Sequence, residues 1–481
     1  MPSVLIKTYG CQMNERDSEQ VASMFLAGGY ELTKEESEAD VILINTCSVR
    51  EKAELKALGK MGLLCSRPTA KPWVVYGFMG CMSQSRAASL FRDVPRLDVV
   101  TGTQQYHHVY EICNRLLRSR LGLHITEPFR KGAHICRTQQ EDGFQNAIRD
   151  HLPPSGNCTA FVSIMQGCEM RCSYCIVPST RGNECSRPAE DILQEVRELV
   201  DRGVKEVTLL GQIVNRYGRE EPIINGRSAF VRLLEQLNDM DGLERIRFTS
   251  PHPIGFREDL VNAYTYLPKL CSHIHFPMQS GSDRILQLMR RPYKNEKYLR
   301  LCEAMREARP DLAITTDIIV GFPGETDEDY QQTKAAVERI QFDNAFIFQY
   351  SPRRDTVAAA MDNQICLRVK EERNHDLLET VNRIAIARNQ ALVGTLQSIL
   401  VEGPSKNNET RLQGRTSQNK PVIIEGGTAE VGSIVPVRIR ECTGFTWRAE
   451  QSRRSCLLLQ ALQGLHQAPH GHTSSVFRGP S

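Results

Sequence analysis

The sequence lacks any segment that predicts insertion into, or passage across, a membrane. Its 481 residues contain no run of about eighteen apolar residues, the length that spans a bilayer. The N-terminal residues MPSVLIKTYG have no basic stretch followed by an apolar one, so we expect no secretory signal. The formal net charge of +3 is nearly balanced, so any anion-binding surface has to be local. We therefore expect a cytoplasmic protein.

Cysteine, by contrast, is abundant. The sixteen cysteines are spread over a long chain, unlike those of a small domain held together by disulfides. In a reducing cytoplasm, thiols favour metal binding or redox chemistry over structural disulfides. The chain length and a hydrophobic content of 40% allow about two to four domains with their own cores.

Three of the cysteines lie close together, with the spacing C-x3-C-x2-C. Cys168, Cys172 and Cys175 are here called the loop triad. Thiolates at this spacing can hold three corners of a [4Fe–4S] cube and leave the fourth iron without a protein ligand. Structural zinc takes four ligands, often from two C-x2-C pairs, and no second pair lies nearby in the sequence. Three buried cysteines in a plain loop are the alternative, but the spacing favours a cluster with an open iron.

A second set of three cysteines follows predicted strands. Apolar runs at residues 4–6, 41–44 and 73–77 predict strands, and Cys11, Cys47 and Cys81, here called the N-terminal triad, come just after them. The ends of parallel strands line one edge of a sheet, where ligands bind. The three thiols could therefore converge on a second site, with coincidence as the alternative.

The wider pattern predicts an α/β protein with three modules. Helical periodicity over residues 18–26 and 52–64 alternates with the first strands and indicates a parallel sheet. Six further strand-like runs, at 161–164, 207–210, 246–248, 273–276, 314–320 and 345–349, predict a (β/α)6 partial barrel with its chemistry at the strand ends. A long helix over 368–389 precedes short β-rich runs separated by turns, typical of a small antiparallel barrel or sandwich.

These patterns give the predicted domain boundaries. We expect an N-terminal α/β parallel-sheet domain over residues 1–115, a linker over 116–157, the partial barrel over 158–390, a small β-barrel over 391–450 and a disordered tail over 451–481.

The loop triad after the first barrel strand resembles the radical S-adenosylmethionine (SAM) superfamily. The resemblance implies that SAM chelates the open iron and is cleaved to a 5′-deoxyadenosyl radical by an electron from the cluster. It places Tyr174 against adenine, an ordinary half-buried tyrosine being the alternative. Further expected SAM contacts, all at predicted strand ends, are Gly211, Gln212, Gln279, Asp317, Gly321 and Gly324. The last two are equally well explained as turn glycines.

Further motifs narrow the resemblance to the methylthiotransferase family. They are TYGCQMN, INTCSVR and GFMGCM around the N-terminal triad, and TRGNECSRP, LLGQIVNRYG, FPMQSGSDRIL and DIIVGFPGET downstream. The resemblance implies a second [4Fe–4S] cluster on the N-terminal triad, again with an open iron, that delivers sulfur. One SAM then donates the methyl group and another provides the radical. We expect the loop triad to serve the radical step and the N-terminal triad to serve sulfur delivery.

Within the family, LLGQIVNRYG and FTSPHP are most similar to the branch that modifies N6-isopentenyladenosine next to the tRNA anticodon. Alternatives are the branches acting on threonylcarbamoyladenosine in tRNA or on an aspartate of a ribosomal protein. A non-catalytic iron–sulfur protein that binds RNA is a further alternative, although a SAM-type barrel argues against it. The chain departs from the family at Ile213, where asparagine is usual, and at YSPRRDTVA (350–358), which includes Arg353-Arg354-Asp355 and lacks a Pro-Gly turn.

The C-terminal module has its own resemblance. VGTLQSILVEGPSK and LQGRTSQNK resemble the RNA-binding TRAM domain. Phosphate contacts are expected from Arg411, Arg415 and Lys420, with a solvated turn as the alternative. Arg181 and Arg187 flank the loop triad and are expected to pair with SAM or tRNA phosphates, or else to be solvated. The expected partners are a tRNA anticodon stem-loop, an unidentified reductant protein and a sulfur donor, and the expected state is a monomer.

Overall fold

The computed structural model of the protein describes residues 1–48, 51–67, 71–123, 134–141, 156–405, 408–426 and 429–451. The chain divides into two compact units, Met1–Ala385 and Ile386–Ser481. The predicted tail lies almost entirely outside the described residues, as do residues 124–133 and 142–155 of the predicted linker. Within the described ranges, no helix is both long and apolar enough to cross a membrane.

The N-terminal part of the first unit is a parallel sheet with helices on both faces. In chain order its elements are β1 (Ser3–Tyr9), α1 (Gln12–Ala27), β2 (Glu31–Leu32), β3 (Val41–Thr46), α2 (Glu51–Cys65), β4 (Val75–Met79), α3 (Cys81–Arg86), α4 (Leu90–Asp93), β5 (Val99–Thr101), α5 (Val109–Arg120) and β6 (Ile135–Arg137). The strand order is β2-β1-β3-β4-β5-β6, and every pair is parallel. Since β3 is covered on both faces, all six of its residues are buried, which explains its apolar run. The predicted parallel sheet is confirmed.

Part of the stretch predicted as a linker is ordered structure. Helix α5 runs on to Arg120, with Leu116 and Leu117 buried. Strand β6 pairs with β5 at the edge of the sheet. Ile135 and Cys136 pack on cores at opposite faces of that sheet. A three-residue edge strand is too short to show a period in the sequence, which is why the pattern did not reveal it.

The rest of the first unit contains the six predicted barrel strands and the helices between them. Its elements are β7 (Thr159–Ser163), β8 (Met165–Gln166), α6 (Val177–Arg181), β9 (Cys185–Ser186), α7 (Ala189–Asp201), β10 (Glu206–Leu210), α8 (Ala229–Asn238), β11 (Arg245–Phe248), α9 (Glu258–Tyr266), β12 (His273–His275), α10 (Asp283–Leu288), α11 (Asn295–Ala308), β13 (Ala313–Val320), α12 (Asp327–Ile340), β14 (Asn344–Gln349) and α13 (Leu367–Gln390), which continues into the second unit.

The six strands run parallel in two three-stranded sheets, β11-β10-β7 and β12-β13-β14. A parallel bridge between Ile246 and Leu270 continues one sheet towards the other. Alternate side chains of each strand, such as Val207 and Ile274, face outward into one apolar core with the helices. The inner face is more polar, and Arg247 Nε donates to Glu206 Oε1 at 2.7 Å. The sequence of strands and helices agrees with the predicted (β/α)6 architecture.

The second unit contains a closed five-stranded barrel within its described residues. Its strands are β15 (Leu396–Ser405), β16 (Asn408–Thr416), β17 (Pro421–Glu425), β18 (Ile434–Thr443) and β19 (Thr446–Gln451), in the order β15-β16-β17-β19-β18. The predicted small barrel is confirmed and the sandwich is excluded. Four of its five strand pairings are antiparallel, as expected, but β17 and β19 pair in parallel to close the barrel.

The barrel core depends on one large side chain. Trp447 is fully buried among the apolar side chains of the other strands. We expect Trp447→Ala to lower the free energy of unfolding of the barrel by about 3–5 kcal/mol, because the surrounding side chains cannot fill the cavity completely. Phe445→Ala is the matched control, because Phe445 is 40% exposed in the same hairpin. Hydrogen–deuterium exchange of β15–β19 measures the difference: the tryptophan variant should exchange much faster than the control, and equal rates would contradict this account of the core.

Candidate functional site

The strand order brings the N-terminal triad to one edge of its sheet. Strands β1, β3 and β4 are neighbours, and Cys11, Cys47 and Cys81 each come within two residues of a strand end. Cys47 and Cys81 are buried, and Cys11 is half-buried. The Cys47 thiol hydrogen-bonds Cys11, and the charge of Cys11 acts on Cys81. Three thiols that are far apart in the sequence therefore converge.

Two buried asparagines fix the backbone under this triad. Asn14 Nδ2 donates to Asn45 Oδ1 at 2.9 Å, and Asn45 Nδ2 donates to the Asn14 carbonyl at 2.8 Å. Asn14 Oδ1 also accepts from the backbone N–H of Cys11 at 3.4 Å. Both asparagines are fully buried, so their paired amides leave little freedom to the turns that carry Cys11 and Cys47.

The surroundings of the N-terminal triad lower the pKa of one of its thiols, that of Cys11. The hydrogen bond from Cys47 lowers the pKa of the Cys11 thiol to about 6, against the opposing effect of burial. Burial raises the pKa of the Cys81 thiol, although the Arg181 charge lowers it. A low thiol pKa near a cation is typical of cysteines that bind metal or react.

The loop triad lies between strand β7 and helix α6, and several backbone contacts hold it. The short antiparallel pair β8–β9 closes its base, and the Cys168 N–H donates to the Gly182 carbonyl at 3.0 Å. Ser173, between the second and third cysteines, donates from its backbone N–H to the Met289 carbonyl and accepts from the Ala358 N–H at 2.8 Å. Ala358 belongs to the 350–358 segment that departs from the family pattern, so that segment supports the triad's backbone.

A cation lies beside the loop triad. Arg291 Nη1 lies 3.7 Å from the Cys172 sulfur. Burial raises the pKa of Cys168 to about 11 and that of Cys175 to about 12, and the neighbouring thiols contribute to both shifts. The mutual influence of these groups shows that the three sulfurs face one another. In the protein without metal, Cys168 and Cys175 are therefore protonated at neutral pH, and a bound metal has to displace their protons.

Of the predicted SAM contacts, Gly211 and Gln212 directly follow strand β10, and Gln279 lies four residues beyond β12. The expected position of Asp317 at a strand end is wrong, because Asp317 lies inside β13. Gln212 Oε1 accepts from the Gly167 N–H at 2.5 Å and so supports the start of the loop triad. Gln279 has a positive φ of 68° and donates to the Asp317 carbonyl at 2.8 Å. The Asp317 carboxylate lies on the inner face, 3.3 Å from His275 Nε2.

The other three predicted contacts are accounted for by packing. Tyr174 is half-buried, with its ring 6.4 Å from that of Phe322. Gly321 and Gly324 have φ values of +68° and +80°, as turn glycines do. A Cβ on Gly321 would lie 2.3 Å from the Lys370 side chain. Contact of these three residues with a cofactor stays a prediction.

The solvated alternative for Arg181 and Arg187 is wrong, because both side chains are buried and paired with carboxylates. Arg181 is 2% exposed, and its Nη2 lies 2.7 Å from Asp17 Oδ2. Arg187 Nη1 lies 2.6 Å from Glu195 Oε2, and Arg16 also pairs with Glu195, at 3.3 Å. Residues distant in the sequence cover both side chains and leave little of either exposed at the surface.

The predicted RNA contacts differ in exposure. Arg411 and Arg415 lie on the surface of strand β16 and pair with Glu425 and Glu402, at 3.3 and 3.1 Å. Lys420 is only 8% exposed, which leaves little of it for a phosphate. The two arginines remain the predicted contacts.

The cysteine triads suit a cluster better than a lone metal ion. Among the described residues, His107, His108 and Glu141 bring ligand atoms within 4.8 Å of one another, and neither triad is gathered that tightly. A [4Fe–4S] cube places its protein ligands on separate irons, so it needs a wider spacing than a single zinc ion does. Three thiols per site match a cube with one open iron.

Sequence reasoning missed the residues that support the triads. Asn14 and Asn45 stand within the motifs TYGCQMN and INTCSVR, so their places beside Cys11 and Cys47 could have indicated them. Asp17, Glu195 and Arg291 carried no such signal, because their partners are distant in the sequence.

Gly80, just before Cys81, adopts a backbone conformation that essentially only glycine tolerates. Its φ is 97° and its ψ is −162°, and a Cβ would lie 2.2 Å from Asn45 Oδ1. We expect Gly80→Ala to lower the free energy of unfolding by about 1–3 kcal/mol from the backbone alone. The control is Gly59→Ala in α2, where a Cβ meets nothing within 4 Å. This substitution should leave the free energy of unfolding unchanged or raise it. Thermal unfolding followed by circular dichroism compares the two, and a melting temperature unchanged by Gly80→Ala would contradict the proposed constraint.

Three known sequence families match successive parts of the chain. The radical SAM superfamily matches residues 162–337, the family described as Uncharacterized protein family UPF0004 matches residues 3–102, and the TRAM domain matches residues 390–451. Among solved structures, the radical SAM methyltransferase TsrM from Kitasatospora setae is similar, with a TM-score of 0.53 and 14% identity over 83% of this chain and 77% of that one. This likeness concerns the fold.

Relatives cover nearly the full length. A tRNA-2-methylthio-N(6)-dimethylallyladenosine synthase from Akkermansia muciniphila is 63% identical over 448 residues, which is 93% of this chain and 98% of the relative. A protein of the same name from Methylacidiphilum infernorum is 50% identical over 93% of this chain and 94% of its own length. The motifs, the fold and these relatives agree. The chain belongs to the radical SAM methylthiotransferase family and, within it, to the group of tRNA-2-methylthio-N6-dimethylallyladenosine synthases.

Proposed function

We propose that this protein inserts a methylthio group at C2 of N6-isopentenyladenosine next to the tRNA anticodon, using two [4Fe–4S] clusters and two molecules of SAM. The observation that carries the proposal is the presence of both cysteine triads in one compact unit of a chain 63% identical to a synthase of that name. When bound, SAM and the clusters supply the radical, the methyl group and the sulfur. The protein holds them and positions the substrate.

The two triads lie at the starts of two helices in contact. Helix α3 begins at Cys81, and helix α6 begins two residues after Cys175. The two helices contact one another within the first unit. Forming a carbon–sulfur bond at an aromatic C–H needs a group that removes the hydrogen atom and a sulfur donor, both near the same carbon. Proximity of the two sites replaces a difficult encounter by a positioned one.

The inner face of β14 offers a surface for the substrate. Phe346 and Phe348 are 51% and 38% exposed, while their neighbours on the outer face pack into the core. Asp317 lies opposite Phe346 in the strand register, and Ile319 lies opposite Phe348. The His275 ring lies 5.9 Å from that of Phe346. The two aromatic rings can stack on a base, while the carboxylate and the imidazole beside them can hydrogen-bond its edge.

This surface favours a prenyl group over the alternatives. An isopentenyl substituent is apolar and would cover the two exposed rings, a gain of about 25 cal/mol for each Å² removed from water. A threonylcarbamoyl substituent carries a carboxylate that would have to be desolvated against phenylalanine. We therefore favour the isopentenyladenosine branch.

Truncating the aromatic surface tests this preference. We expect Phe346→Ala or Phe348→Ala to lower kcat/KM for prenylated tRNA by at least about 10-fold, since apolar contacts to the prenyl group are lost. SAM cleavage without tRNA should be unchanged. Tyr266→Ala, which removes an aromatic ring that is 43% exposed on helix α9, is the control. If the phenylalanine variants lost SAM cleavage instead, the surface would belong to the cofactor and not to the substrate.

Reconstitution tests the function itself. The protein is loaded anaerobically with iron and sulfide and given SAM and dithionite, with prenylated tRNA, threonylcarbamoylated tRNA or the ribosomal-protein peptide in separate reactions. We expect methylthio product on prenylated tRNA alone. Cys11→Ala should abolish this product yet leave SAM cleavage intact, while Cys366→Ala, at an exposed cysteine outside both triads, should keep both. Turnover of the peptide alone would overturn the proposal.

The remaining expectations follow from the same assignment. The five-stranded barrel, matched by the TRAM domain, would bind the anticodon stem-loop through Arg411 and Arg415. A reductant protein would supply electrons, and a separate donor would restore the sulfur. We place the protein in the cytoplasm as a monomer.

A further inference from the structure

Arg181 reaches from the barrel domain into the N-terminal domain. It is the last residue of helix α6, which follows the loop triad, yet its guanidinium pairs with Asp17 of helix α1 at 2.7 Å. Cys11 caps the start of that same helix α1. The Tyr106 hydroxyl donates to Asp17 Oδ2 at 3.0 Å and holds the carboxylate in place. All of these side chains except Cys11 are buried.

The backbone at Arg181 is anchored as firmly as its side chain. Thr103 Oγ1 donates to the Thr180 carbonyl, and Gln104 Nε2 donates to the Arg181 carbonyl at 3.4 Å. The next residue, Gly182, has a φ of +77°, and a Cβ there would lie 2.3 Å from Gln104 Nε2. The loop after β5 therefore fixes where the helix ends and where its arginine points.

The guanidinium is turned towards the N-terminal triad. Its charge acts on both Cys81 and Cys11, and on Cys81 it outweighs the charge of Asp17. The Arg181 side chain hydrogen-bonds the Cys81 side chain, and both are buried. A buried cation in contact with a cysteine stabilises the thiolate form that binds metal.

We propose that Arg181 is the counter-cation of the N-terminal triad and raises the reduction potential of the cluster held there. Three thiolates on a [4Fe–4S]²⁺ core leave a net charge of −1, and an added electron makes it −2. A fixed positive charge in a buried site stabilises the more negative state. Arg181 thus comes from the barrel domain, but its charge acts on the cluster of the N-terminal domain. The proposal rests on the second cluster of the proposed function.

The test isolates the N-terminal cluster and measures its potential. In a variant whose loop triad is replaced by alanine, the midpoint potential is followed by electron paramagnetic resonance during titration with dithionite. We expect Arg181→Gln to shift the midpoint to a more negative value, because the cation is lost. Arg181→Lys, which keeps the charge, should have a midpoint potential close to that of the protein with Arg181. Arg187→Gln is the matched control, because this buried arginine pairs with Glu195 and should leave the potential unchanged.

The variants separate an electrostatic role from a structural one. If Arg181→Gln fails to fold because Asp17 is left as a buried lone charge, the double variant Asp17→Asn/Arg181→Gln removes both charges. In that double variant, the midpoint potential of the N-terminal cluster should still be more negative than in the protein that keeps Arg181. An unshifted potential in a fully loaded Arg181→Gln or double variant would overturn the proposal. An equal shift in Arg187→Gln would overturn it too. Absence of any cluster on the triad with Arg181 intact would refute the second cluster of the proposed function as well.

Discussion

Two buried ion pairs of opposite polarity join the N-terminal domain to the barrel domain. Arg16 and Asp17 are consecutive on helix α1, and they pair with Glu195 and Arg181 of the barrel domain. Burying such charges costs several kcal/mol per ion, which is recovered only when each ion keeps its partner and its geometry. These pairs therefore contribute less to stability than to specificity. They fix which surfaces meet, and hence where the two cysteine triads lie relative to one another.

The remaining features of the site depend on that alignment. Helices α3 and α6 meet where each carries the start of a cysteine site. The paired amides of Asn14 and Asn45 hold one set of thiols, while Gln212 and the Ala358 backbone hold the segment that bears the other. Beyond them, the inner face of β14 leaves two phenylalanine rings uncovered within the partial barrel. The two cysteine triads and the proposed substrate surface thus belong to one compact unit.

Local patterns in the sequence were sufficient to predict the fold and the thiols. Long apolar runs such as β3 and β13, and cysteines that follow strand ends, are periodic or positional signals. Strand β6 was missed because three edge residues show no period. Arg181 was misjudged because its partner Asp17 lies far away in the sequence. Lys420 is predicted as a phosphate contact, with a solvated turn as the alternative, but the folded barrel leaves it only 8% exposed. Pairing between distant segments is set by the tertiary fold and leaves no local trace.

The central claim is that the chain holds two separate clusters, one on each triad. Anaerobic iron and sulfide analysis with Mössbauer spectroscopy tests it most directly. The two samples are a variant with the N-terminal triad changed to alanine and one with the loop triad changed to alanine, each compared with the unaltered protein. The account predicts that each variant retains half of the iron, as a [4Fe–4S] cluster. An N-terminal triad that holds no cluster when the loop triad is absent, or a variant that keeps all of the iron, would contradict it.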